Sequence, residues 1–126
     1  MNANDISERI IGAAIEVHRT LGPGLLESAY ANAMAIELAL RQCRFEQEVP
    51  VLARYKGQSL GIVYRADLLV EDMVLVELKA IDALQEVHSA QLLSYLRLSD
   101  KNLGLLINFN QSTLLQGLRR IVNQWS

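Results

Sequence analysis

Between Arg65 and Ala80 the chain reads Arg-Ala-Asp-Leu-Leu-Val-Glu-Asp-Met-Val-Leu-Val-Glu-Leu-Lys-Ala. Two apolar runs are joined by an acidic turn at Glu71-Asp72-Met73, with Asp67 on the first run and Glu77 and Lys79 on the second. Side chains two apart on a strand share a face, so Glu77 and Lys79 emerge together. A three-residue turn that pairs Val70 with Val74 sets Asp67 opposite Glu77. A two-residue turn would set Asp67 opposite Val76 and break the constellation, because a one-residue slip moves every side chain to the other face.

Ionised groups on a core strand are costly unless they are paired or hold a metal. Two carboxylates converging on one point form a hard oxygen site suited to Mg2+ or Mn2+. A lysine beside such a site can orient or deprotonate a water, or steady developing negative charge. The same residues also allow a plainer arrangement, a Glu77–Lys79 pair on the solvent face of an edge strand with Asp67 as a cross-strand neighbour.

A chain of 126 residues, 51% of them apolar, is expected to fold as a single domain over residues 1–126, with an apolar patch left for a partner. Its apolar runs are too short to span a bilayer, and Asn4, Asp5 and Glu8 stand where a signal peptide carries basic residues. The expectation is a cytoplasmic protein without a membrane partner. The single cysteine, Cys43, excludes an internal disulfide and a cysteine zinc cage, and receives no role.

The formal charge of −2 argues against general nucleic-acid binding, but the charge is unevenly spread. From Arg41 to Arg65, five basic residues oppose two acidic ones, a local net of +3. From Asp67 to Glu86, six acidic residues face only Lys79, a net of −5. Such an acidic site would repel a phosphate backbone unless a divalent cation filled it. A solvated surface of mixed sign produces similar patterns.

Helical periodicity over residues 5–20 (Ile6, Ile10, Ala13, Ala14, Val17) predicts an amphipathic helix, with Asp5 to Glu8 resembling a capping box and His18 near the end. Gly22-Pro23-Gly24 breaks it. A second helix, mostly buried, is predicted from Leu25 to Leu40, with Glu27 and Tyr30 sharing a face. Strands follow at Phe45–Tyr55, Leu60–Val70 and Val74–Ala80. A helix is predicted from Ala83 to Leu98, capped by Asp82, that sets Gln91 and Tyr95 on one side. A strand at Leu103–Phe109 and a last helix at Leu114–Val122 complete an α/β sheet of about four strands flanked by helices. Tyr55, Tyr64 and Trp125 are candidates for base stacking if exposed.

Gly24-Leu25-Leu26-Glu27-Ser28-Ala29-Tyr30 resembles the Gly-x-x-Glu-x-x-Tyr signature of the GxxExxY proteins, a group within the PD-(D/E)xK nuclease-like superfamily. His18, the Leu-Gly-Pro-Gly lead-in, Asp67 with Glu77-Leu78-Lys79, and Leu105-Leu106-Ile107-Asn108-Phe109 fit the same pattern. The resemblance covers nearly the whole chain. Arg65-Ala66-Asp67 lacks the proline of the superfamily motif.

The resemblance implies a restriction-endonuclease-like αβββαβ core with a mixed central sheet. It implies Mg2+ or Mn2+ held by Asp67, Glu77 and the main-chain carbonyl of Leu78, with Glu27 completing the shell. Lys79 would assist the attacking water and Gln91 would support the site, as in the Gln-x-x-x-Tyr helix of RecB-like nucleases. His18, Tyr30 and Tyr95 are supporting candidates. The activity so implied is metal-dependent hydrolysis of phosphodiester bonds in nucleic acid, DNA foremost. The other reading is a nuclease fold that binds or scaffolds without cutting, as a homodimer or with a protein partner.

Overall fold

In a computed structural model, described for residues 1–124, the chain forms a five-stranded mixed sheet with helices on both sides. The elements are α1 (Ala3–Leu21), α2 (Glu27–Leu40), β1 (Phe45–Tyr55), β2 (Gln58–Val70), β3 (Val74–Lys79), α3 (Glu86–Ser99), β4 (Leu103–Asn108), a 3-10 turn (Leu115–Gly117) and β5 (Leu118–Val122). The strands lie in chain order, with β3 and β4 parallel and every other pair antiparallel. The parallel pair is joined through α3, and its strands are buried along nearly their whole length, which explains their almost unbroken apolar runs.

The two helical layers differ in composition and role. Ile6, Ile10 and Ala14 of α1 and Tyr30, Met34 and Leu38 of α2 pack with Val74, Val76 and Leu78 of β3 on one side of the sheet. Leu92 and Leu96 of α3 pack with Leu75 and Leu106 on the other. Odd and even residues of β3 thus serve opposite layers, which directs Glu77 to the α3 side.

Four expectations are corrected. Asn2 caps α1 by accepting from the Asp5 N–H at 2.9 Å, and Asp5 answers by accepting from the Asn2 N–H, so the capping box begins three residues earlier than predicted. The third helix starts at Glu86 behind Gln85, not at Ala83 behind Asp82. Side chains from the far edge hold the intervening segment: Asn108 brackets Ile81 with two bonds, Gln111 donates to the Asp82 carbonyl, and Arg119 donates to the Leu84 carbonyl. With those carbonyls occupied, no helical turn forms there.

The predicted last helix is the 3-10 turn and a strand, giving five strands rather than four. β5 covers the outer edge of β4, which would otherwise leave a row of unpaired backbone groups. Gly117 permits the close return, since a Cβ there would lie 2.0 Å from the Asn108 carbonyl oxygen. Trp125 lies outside the described residues.

Candidate metal centre

The β2–β3 turn takes three residues, and Val70, Leu69 and Leu68 pair with Val74, Leu75 and Val76. Glu71 and Asp72 both adopt positive φ, and the Met73 N–H closes the turn on the Val70 carbonyl at 3.0 Å. One step further the backbone ladder ends and two carboxylates replace it. Asp67 donates its N–H to Glu77 Oε1 at 3.2 Å, and Leu78 donates its N–H to Asp67 Oδ2 at 2.7 Å. The register therefore sets Asp67 against Glu77, and each carboxylate accepts from the opposite strand.

Tyr64 completes the anchoring of Glu77. Its phenol donates to Glu77 Oε2 at 2.7 Å, and its ring stacks on Tyr95 of α3 with centroids 4.1 Å apart. Plain alternation from Asp67 would aim Tyr64 at the opposite layer. Phe45, Leu68 and Val70 pack with the α1–α2 side, whereas Val49, Tyr64 and Ala66 pack with the α3 side. Both strands change faces in between, where Glu48 has φ of +53° and the cross-strand pairing omits Glu48 and Asp67. This change of face brings Tyr64 round to Glu77. The sequence offered Tyr64 only as a stacking candidate, and its position three residues before Asp67 was the available signal.

Glu77 is 2% exposed. Burial, and then the charge of Asp67, push its carboxyl up to about 7, against smaller downward pulls from Tyr64, the Asp67 N–H and Lys79. Burial also raises Asp67, opposed by the Leu78 N–H, with Glu27 and Glu48 adding repulsion and Lys79 relieving it. Tyr64 is raised by burial and by Glu77. Lys79, half-buried, thus acts electrostatically on both carboxylates while forming no ion pair with either. The pair holds more negative charge than its own lysine neutralises.

Glu27 is the first residue of α2 and exposed, close enough for its charge to act on Asp67. Among the described residues, no three His, Cys, Asp or Glu side chains gather into a group that would hold a metal ion. Two carboxylates suffice for Mg2+, which keeps several waters and takes further oxygens from substrate phosphates. The donor set, all hard oxygen with excess negative charge, fits such a cation. Gln91 is exposed on α3, one turn before Tyr95.

His18 and Tyr30 hold loops. His18 Nε2 lies 2.8 Å from the Gln111 carbonyl oxygen. Tyr30 donates to the Gly22 carbonyl at 2.6 Å, accepts from the Leu25 N–H at 3.2 Å, and stacks on Phe109 at 4.5 Å. The tyrosine of the Gly-x-x-Glu-x-x-Tyr stretch thus pins the loop that delivers Glu27 to the start of α2.

No curated protein matches the chain. The solved structure described as "Crystal structure of SSO0001" is similar in fold, with a TM-score of 0.53 at 15% identity over 96% of this chain and 67% of that one. The family model described as PD-(D/E)XK nuclease superfamily matches residues 4–121. Its span takes in Glu27, Asp67, Glu77, Lys79 and Gln91 together, and the chain belongs to the PD-(D/E)XK nuclease superfamily.

Proposed function

We propose that the protein is a Mg2+- or Mn2+-dependent nuclease that hydrolyses phosphodiester bonds of DNA in the cytoplasm. The observation that carries this reading is the pair of cross-strand bonds, Asp67 N–H to Glu77 and Leu78 N–H to Asp67, which holds a buried and a half-buried carboxylate together with too little positive charge beside them. Asp67, Glu77 and the Leu78 carbonyl would hold the cation, with Glu27 reaching it directly or through water. The bound cation would supply Lewis acidity and a lowered water pKa. Lys79 orients the attacking water and offsets charge gathering on the phosphoryl oxygens as the P–O ester bond breaks. Gln91 supports the site from α3, and the Tyr64–Tyr95 stack keeps Glu77 in place.

The test uses purified wild type and Glu77→Gln on supercoiled DNA, linear DNA and RNA, each with Mg2+, Mn2+ or EDTA. The reading requires cleavage that depends on the metal and is lost in the variant. Cleavage unchanged by Glu77→Gln would refute it.

A second reading, a nuclease fold that binds a partner or a second copy without cutting, draws support from α2. Leu26 is 78% exposed at its N-cap, and Ile36 and Leu40 are exposed along it. It requires that no substrate be cut while the protein self-associates or captures a partner.

A further inference from the structure

The part of β1 and β2 that projects beyond the sheet belongs to neither helical layer. Pairing of β2 with β3 stops at Leu68, and the last hairpin residues packed with the α3 layer are Val51 and Tyr64. From Leu52 to Val63 the two strands continue alone, closed by a turn at Lys56-Gly57, an arm that reaches roughly 15 Å at about 3.3 Å per residue.

Two features of this arm are unusual for a free hairpin. Its large apolar side chains face water: Leu52 and Tyr55 are each 61% exposed, Leu60 is 56%, and Ile62 and Val63 are also exposed. Its charge is of one sign, since Val49 to Ala66 contains Arg54, Lys56 and Arg65 and no acidic residue. Register shifts at Val51/Leu52 and Ala53/Arg54, with Gly61 at φ of +72°, add right-handed twist. A two-stranded ribbon of this kind fits a B-form major groove, about 12 Å wide and about 8.5 Å deep, where thymine methyls accept apolar contact. The A-form major groove is too deep and narrow for it.

The geometry points to the β1–β2 arm as a groove-reading element for double-stranded B-form DNA, with Arg54 and Lys56 on phosphates and Leu60 and Ile62 on base edges. This inference rests on the nuclease reading for its choice of polyanion. The arm's own strand carries Tyr64 and Asp67, so a duplex gripped by the arm is led directly to the carboxylate pair. Charge decides between DNA and a second copy, because two arms paired with each other would bring four cations together, Arg54 and Lys56 from each, without a counter-charge on either arm.

The test measures anisotropy of a fluorescent 20-base-pair DNA duplex, and of an RNA duplex of the same sequence, against the full chain carrying Glu77→Gln. Adding Arg54→Ala with Lys56→Ala should make the plot of log affinity against log salt shallower by about 2 for DNA. Leu60→Thr with Ile62→Thr should weaken DNA binding at least several-fold while the RNA duplex, bound more weakly throughout, is unaffected. Parallel salt plots, or equal loss on both duplexes, would overturn the inference. So would a dimer that falls to monomer in the Leu60→Thr/Ile62→Thr chain with DNA binding intact, which would make the arm a contact between copies. Arm-dependent duplex binding without cleavage by wild type would uphold the arm and remove the nuclease reading. Cleavage that needs Glu77 but ignores Arg54 and Lys56 would do the reverse.

Discussion

Tyr64 donates its phenol to Glu77 Oε2 at 2.7 Å while its ring lies on Tyr95, so a single side chain ties α3 to a carboxylate on β3. Tyr64→Phe keeps the stack and deletes the donor. Partners of this kind typically cost 10- to 100-fold in metal affinity or activity when removed. We expect Mn2+ affinity and cleavage rate to fall by about tenfold, with the unfolding midpoint nearly unchanged. Unaltered metal affinity would show that the phenol does not position Glu77.

Glu77→Gln should abolish cleavage and stabilise the metal-free fold. A glutamine retains one oxygen for the Asp67 N–H and an amide that donates to the Tyr64 oxygen, while the repulsion with Asp67 disappears. The gain at pH 8 should be on the order of 1 to 3 kcal/mol, read from urea unfolding in EDTA. A loss of stability would mean that the charged form is better accommodated than its burial implies.

The same burial sets a pH dependence. Glu77 titrates near 7 in the folded chain and near its ordinary 4.5 when unfolded, and Asp67 is displaced in the same direction. Between about pH 4.5 and 7 the folded state therefore holds more protons than the unfolded state, and stability falls as pH rises through that window. The urea midpoint of metal-free wild type, relative to Glu77→Gln, should decline from pH 5 to pH 8 and level off above. A relative midpoint that climbs with pH would contradict the assignment.

Gly117→Ala tests how the far edge of the sheet supports the site. A methyl group there meets the Asn108 carbonyl oxygen at 2.0 Å, and the Asn108 side chain brackets Ile81, two residues beyond Lys79. The substitution should cost about 2 to 3 kcal/mol and slow cleavage, whereas Gln116→Ala, at an exposed neighbour, should leave the rate unchanged.

The central hairpin was legible because two apolar runs flank the short acidic stretch Glu71-Asp72-Met73. Of the two turn lengths this allows, only the three-residue one sets Asp67 beside Glu77, and it is the one the chain adopts. Tyr64 was not legible as a partner of Glu77, since strict alternation sends it to the other layer and only the change of face at Glu48 and Asp67 returns it. Leu118–Val122 read as helix because its apolar spacing fits either period in so short a run. What decides for strand is the open edge of β4, a long-range demand that local pattern does not carry. The late start of α3 has the same origin, in carbonyls claimed by Asn108, Gln111 and Arg119 from distant parts of the chain.

Metal-dependent cleavage requires Asp67 and Glu77 to act as one cation site, and calorimetric titration of Mn2+ at pH 8 measures this without a substrate. The prediction is one bound ion in wild type, lost in both Asp67→Ala and Glu77→Ala. No heat of binding in wild type, or binding that survives in both variants, would contradict it.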